Sequence, residues 1–231
     1  MTLFWEGLEQ AARLVLSRDA EVFGITLLSL GVTGAATCLA LLVGLPLGTA
    51  LALARFPGRG LVIALVNTGM GLPPVVVGLL VSMLLWRAGP FGALELLYTP
   101  AAIVIAQFLI AAPVVTGLTL AAVQAIPDAF RLQMQALGAS RVQLVAVLIR
   151  EARLPLLAAV MAGFGAVISE VGASLMVGGN IRGHTRVLTT ATVLETSKGN
   201  FDRALALSVI LLALSFGVNW ALTWLQQPRR R

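Results

Sequence analysis

Five long apolar stretches alternate with polar ones along the chain: Val22 to Ala54, Leu61 to Trp86, Pro100 to Ala125, Pro155 to Val177 and Arg203 to Leu225. A helix needs about 20 apolar residues to cross a bilayer, so the pattern predicts an all-α, polytopic membrane protein with about five transmembrane helices. The first stretch is longer than a bilayer requires and predicts either a tilted span or one whose amino end projects from the membrane. Ahead of it, Leu3, Phe4, Leu8, Ala11, Ala12 and Val15 give residues 1–20 the character of an amphipathic helix lying on the membrane surface. Glu6 and Glu9 come early there and no small-residue cleavage site precedes the first span, so the segment does not read as a signal peptide.

Residues 127–154 break the apolar rhythm. Pro127 and Asp128 suit the start of a short helix, since proline fits the first helical position and an acid favours the positive end of the dipole. Gly138 can adopt the left-handed conformation that ends it. Ser140 and Gln143 have capping-box spacing, so a second helix is expected to start there. Leu132, Leu137, Val142, Val145, Ala146 and Ile149 are expected to form the apolar face of this helix-turn-helix. Arg131, Arg141, Arg150, Glu151 and Arg153 are expected in water.

Proline and glycine punctuate the spans. Gly44, Pro46 and Gly48 permit either a kink or close packing on a neighbouring helix, with packing the favoured reading. Gly69, Gly71, Pro73 and Pro74 predict a broken helix near the start of the second span, because adjacent prolines remove backbone donors. Gln107 and Pro113 suggest the same more weakly in the third. Glu170 closes the fourth stretch, and an acid within or at the rim of a span marks a functional position or a structural ion pair, here with Arg182 or Arg186. A flexible turn from Gly178 to Arg186 follows, then a threonine-rich run to Thr196. Asn200 is expected to cap the last helix, with Asp202 in its first turn.

Composition agrees: 58% hydrophobic and 11% charged residues across 231 positions leave too little polar surface for a soluble globule. One transmembrane domain over residues 1–231 is expected, with no separate soluble domain. The net charge of +6 comes mostly from arginines at the ends of apolar stretches, which points to topology rather than nucleic acid. Arg55, Arg59, Arg131, Arg141, Arg150, Arg153, Arg229, Arg230 and Arg231 share one side if there are five spans, placing the amino terminus outside and the carboxyl terminus in the cytoplasm. Arg87, Arg182, Arg186, Lys198 and Arg203 fall on the opposite side and weaken the bias.

Several chemistries find little footing. One cysteine, Cys38, and one histidine leave no dedicated zinc site. Ser197, Lys198 and Gly199 reverse the order of a phosphate-binding loop and lack its glycines, so no ATP site is expected on this chain. An intramembrane hydrolase would need Ser174 or Ser169 with His184, but no Gly-x-Ser-x-Gly elbow is present. An ion-driven carrier would show inverted repeats and paired buried acids, and only Glu170 is a candidate.

The segment Gln135-Ala-Leu-Gly138-Ala-Ser140-Arg-Val-Gln143, followed by Leu154-Pro155, resembles the cytoplasmic loop of permease subunits of bacterial ABC importers of the MetI-like fold. Within that group Ile168-Ser-Glu170-Val-Gly172, Val177-Gly-Gly-Asn180-Ile-Arg182-Gly and the run from Arg186 to Gly199 resemble the tungstate permeases. Two departures are Leu132-Gln133-Met134, where the family loop typically opens with Glu-Ala-Ala, and a distance from Gly138 to Pro155 about one helical turn longer than usual. The resemblance implies an ATP-driven oxyanion importer, tungstate foremost, in the bacterial cytoplasmic membrane. It implies a homodimer of this chain, two cytoplasmic ATPase subunits that hold ATP and Mg, and an extracytoplasmic binding protein. No cofactor is then expected on the permease. Gln135, Ala136, Gly138, Ala139, Ser140 and Arg141 would couple to the ATPase. Ser169, Glu170, Asn180, Arg182, Arg186 and Thr189, with Thr185, would line the pathway or its gate, Glu170 by holding or releasing an arginine.

Overall fold

The computed structural model describes residues 19–226 together with Trp5, Glu9 and Arg13. The expected amphipathic segment therefore lies mostly outside the described residues, as do Arg229, Arg230 and Arg231; Trp5, Glu9 and Arg13 are helical, and Arg13 pairs with Glu9 at 2.6 Å.

The first apolar stretch is one uninterrupted helix, α1 (Ala20–Leu53), whose 34 residues make a rod about 51 Å long. It continues through Pro46. Gly44 and Gly48 lie against α4 (Pro100–Gln124): a Cβ on Gly44 would sit 2.8 Å from Val115 Cγ1, and one on Gly48 would sit 2.6 Å from the Thr116 carbonyl oxygen. The packing reading of this motif therefore holds. Lipid tails are as apolar as leucine, so spans associate through close van der Waals fit, which small residues permit.

The second stretch does not cross as one helix. It divides into α2 (Arg59–Met70) and α3 (Pro74–Leu85), bent by 103°. Pro74 takes the first helical position of α3, and Pro73 precedes it with extended backbone. A residue before proline is pushed out of the helical region, so two prolines in a row stop α2 and start α3 afresh. The expected break is present, and α2 buries none of its residues in its own chain.

A 3₁₀ turn (Gly92–Leu94) leads to α4, which runs straight through Pro113. Helix α4 is the centre of the bundle, packing on α1, α2, α3, α7 (Arg153–Ile168) and α8 (Gly172–Gly178). Its buried face includes Ala102, Ile103, Ala106, Ala111 and Val115. The fourth stretch, read as one span to Val177, divides into α7 and α8 with a bend of 58° at Ser169 to Val171. Two last helices, α9 (Leu188–Ser197) and α10 (Phe201–Gln226), pack on each other. On α10, Leu212, Phe216, Trp220 and Trp224 recur every four residues and all are exposed, forming one outward stripe suited to lipid. Among the described residues three helices are long and apolar enough to span a membrane, and up to five spans result if each bent pair counts as one.

Between α4 and α7 the chain forms α5 (Asp128–Ala136), a turn at Gly138, and α6 (Arg141–Glu151). Gly138 has φ +83°, in the left-handed region that glycine enters without a Cβ clash. Both halves of the capping box form: Gln143 N donates to Ser140 Oγ at 3.4 Å, and Ser140 N donates to Gln143 Oε1 at 2.8 Å. Only Ala152 separates α6 from α7, so the extra turn of this loop extends α6 to the membrane helix.

Candidate functional site

The α5–α6 pair rests on the bundle by a face other than the one the pattern suggests. Leu148 and Ala152 pack with Ala122, Ile126 and Leu156, flanked by Leu45, Leu53, Phe130 and Leu144. Leu132, Leu137 and Val142, expected in that inner face, are 64%, 75% and 80% exposed. The correction has a simple cause: the pair buries a stripe shifted toward Leu144 and Leu148, because only that face meets the ends of α1, α4 and α7. Arg131 is also not in water. Its guanidinium donates to the Val123 carbonyl at 2.7 Å and closes the carboxyl end of α4, where a cation offsets the dipole. Gln135, Ala136, Gly138, Ser140 and Arg141 are exposed around the turn, with Ala139 half-buried. The expected coupling residues thus gather on one knob with an apolar tip.

The expected pathway residues separate into two groups. At the α7–α8 bend, Glu170 is buried, and its Oε1 accepts from Ala173 N at 2.8 Å, capping α8. No arginine reaches it among the described residues, which overturns the expected pairing with Arg182 or Arg186. Thr189 Oγ1 donates to the Glu170 carbonyl at 2.9 Å and ties α9 to the bend. Ser169 Oγ donates to the Gly165 carbonyl at 3.0 Å. Deeper in the bundle, Gln107 Nε2 donates to Ser174 Oγ at 3.4 Å, and both side chains are buried. The hydroxyls proposed for a serine hydrolase are thereby engaged with Gln107 and Gly165 rather than with His184.

The second group lies at the amino end of α1. Arg182 and Arg186 converge on Glu21, a residue that the sequence pattern did not single out, and Arg203 from α10 joins them. Arg182 makes a fork, Nε to Oε1 at 3.0 Å and a terminal nitrogen to Oε2 at 2.6 Å. The carboxylate raises the already high pKa of the Arg182 guanidinium further, chiefly through that hydrogen bond. The signal for Glu21 was present but indirect: three of the five basic residues that violated the charge bias are its partners. A fourth, Lys198, pairs with Glu195 at 3.0 Å. Asn200 donates its side-chain amide to Glu195 Oε2 at 2.8 Å, so it secures the α9–α10 turn instead of serving as the expected side-chain cap. These hydrogen bonds, Asn200 first, hold the Glu195 carboxyl below its ordinary pKa against the opposing effect of burial.

Asn180 takes φ +52° and donates to the Thr190 carbonyl at 3.3 Å. Thr185 Oγ1 donates to the Gly178 carbonyl and accepts from Ile181 N at 2.9 Å. The hydroxyl protons of Ser169, Thr185 and Thr189, expected to guide an anion, are therefore committed to backbone carbonyls. The guanidiniums are the donors left over, and Arg186 Nε is buried with no partner among the described residues.

Glu170 acts here through geometry, since its carboxylate and carbonyl join α8 to α9. On the importer role that the sequence resemblance implies, Glu170→Ala is expected to lower substrate-stimulated ATP hydrolysis about tenfold, whereas Glu170→Gln, which keeps an acceptor oxygen for Ala173, retains most of it. Parallel rates with assembly checked by co-purification test this, and equal losses in both variants would show that charge, not the cap, matters.

A bundle of continuous and bent spans with a helix-turn-helix projecting from one end defines a polytopic membrane permease. The chain belongs to the family of inner membrane components of binding-protein-dependent transport systems, whose pattern matches residues 44–231. It is similar to the tungstate uptake system permease protein TupB of Peptoclostridium acidaminophilum, with 39% identity over 96% of this chain and 97% of that one. A probable anion ABC transporter permease protein of Haloferax volcanii is 44% identical over 84% of this chain and 86% of its own length. Among solved structures, the methionine ABC transporter MetNI in an inward-facing form matches the fold with a TM-score of 0.70 at 20% identity, covering 90% of this chain and 93% of that chain.

Proposed function

We propose that this chain is the permease subunit of an ATP-driven tungstate importer in the cytoplasmic membrane, working as a homodimer. The observation that carries the reading is the knob: its inner face is fixed to three spans while its apolar tip, Leu132, Leu137 and Val142, stays open. An open apolar tip on a rigid support suits insertion into a groove of a partner, and membership of a binding-protein-dependent transport family supports the ATPase as that partner. ATP and Mg then belong to that subunit, and no hydrolysis falls to this chain. The near full-length likeness to a tungstate uptake permease supports the choice of substrate. A second copy fits because α2 buries no residue within its own chain and leaves the bent α2–α3 pair a free face. The knob lies on the cytoplasmic side, which puts Glu21 and its arginines on the outer side, where a binding protein delivers the oxyanion.

The test is ATP hydrolysis in liposomes holding the permease and its ATPase, with binding protein loaded with tungstate or with sulfate. Stimulation by the tungstate-loaded protein alone is expected. Failure of the ATPase to co-purify would remove the importer reading, and equal stimulation by sulfate would remove the choice of tungstate.

A further inference from the structure

The Glu21 cluster has an unbalanced geometry. One carboxylate serves three guanidiniums: Oε1 accepts from Arg182 at 3.0 Å and Arg186 at 3.3 Å, and Oε2 accepts from Arg182 at 2.6 Å and Arg203 at 3.0 Å. A carboxylate has about four lone-pair positions, so Glu21 is saturated while its partners are not. Arg186 is the clearest case. Its side chain is 14% exposed, it gives Glu21 a single long contact, and its Nε is buried without an acceptor among the described residues. A buried donor left unmade is costly, and guanidiniums are built to grip planar or tetrahedral oxyanions with two nitrogens at once.

Beside the cluster is a cleft of about 400 Å³ between α1 and the turn carrying Arg182, Gly183, His184 and Arg186. Its opposite wall is α1, where Ala20, Gly24, Ile25 and Leu28 flank Glu21, so one side offers cations and the other is apolar apart from that carboxylate. Such a wall strengthens charge pairing by lowering the local dielectric. It also suits an acyl chain.

We propose that this cleft is a binding site for a tetrahedral oxyanion, and that Glu21 is a resident carboxylate which occupies the arginines until the oxyanion displaces it. Four oxygens on one centre offer Arg182 and Arg186 more acceptor positions than the two carboxylate oxygens of Glu21. The ion has two chemical sources, a free dianion such as tungstate or the phosphate of a phospholipid in the outer leaflet. The free-ion source rests on the importer reading above, whereas the site itself does not.

The experiment uses the permease with its ATPase in nanodiscs, without binding protein or ATP. Radiolabelled tungstate binding is measured by equilibrium dialysis in zwitterionic lipid, and retention of added phosphatidylglycerol is measured by native mass spectrometry. Glu21→Gln removes the competing charge and is expected to raise binding of one source about fivefold, while Arg182→Gln lowers it by a similar factor. A response of tungstate supports the free-ion source, and a response of phosphatidylglycerol alone supports the lipid source. Unchanged binding of both probes in both variants overturns the site. Should Glu21→Gln fail to accumulate, Arg182→Gln decides alone, because that side chain is 72% exposed and folding does not depend on burying it. Stimulation of the wild-type ATPase by tungstate-loaded binding protein, measured alongside, separates failure of the site from failure of the importer reading.

Discussion

Replacing Leu137 or Val142 with aspartate is expected to abolish substrate-stimulated ATP hydrolysis while leaving the permease in the membrane at its normal amount. Both side chains stand on the open tip of the knob, 75% and 80% exposed, and neither helps to hold the knob on the bundle. A carboxylate there would be carried into an apolar groove without a partner, and the loss of a central apolar contact costs an interface at least about tenfold in affinity. Leu148→Asp is the contrasting variant. Leu148 is fully buried between α6 and the ends of the spans, so aspartate there is expected to detach the loop and deplete the folded protein. Co-purification of the ATPase and membrane yield separate the two effects. Normal stimulation in both tip variants would place the docking face elsewhere on the loop.

Gly48→Val is expected to destabilise the folded permease strongly. A Cβ at this position would meet the Thr116 carbonyl oxygen at 2.6 Å and Thr119 Cβ at 2.7 Å, and α4 cannot yield because it is packed on its other sides by α7 and α8. Overpacking a fitted core costs about 3 kcal/mol, a large share of the stability that a domain of this size has to lose. Gly31→Ala is the control, since a Cβ there meets nothing within 4 Å and alanine is the better helix former. Thermal unfolding in detergent should put the first variant far below the wild type and the second at or above it.

How much could be read without coordinates varies by element, and the reasons differ. Helix α4 was placed to within a residue because one apolar run with a proline at its first position leaves little choice. The turn between α5 and α6 was equally legible, since Gly138 and the Ser140–Gln143 box act through neighbours in the chain. The inner face of that pair was misread. Periodicity shows that a helix has an apolar stripe, but Leu137 and Leu148 look alike in a sequence, and only the position of the span ends selects Leu148 for burial. Glu170 stood out in the sequence and is buried, yet its partner proved to be Ala173 N, three residues away, not a distant arginine.

The sequence by itself determined that this is a helical membrane protein, because span length, proline breaks and capping are local and the lipid solvent admits few alternatives; its likeness to the binding-protein-dependent permeases was carried by the motifs from Gln135 to Gln143 and from Ile168 to Gly199. It also determined where the helix-turn-helix between α4 and α7 lies. The tertiary structure alone decided which arginines meet Glu21, across separations of 161, 165 and 182 residues, and which hydroxyls were already spent on their own backbone. Charge pairing over such distances follows from how α1, α10 and the turn before α9 are packed together, and no pattern along the chain records that packing.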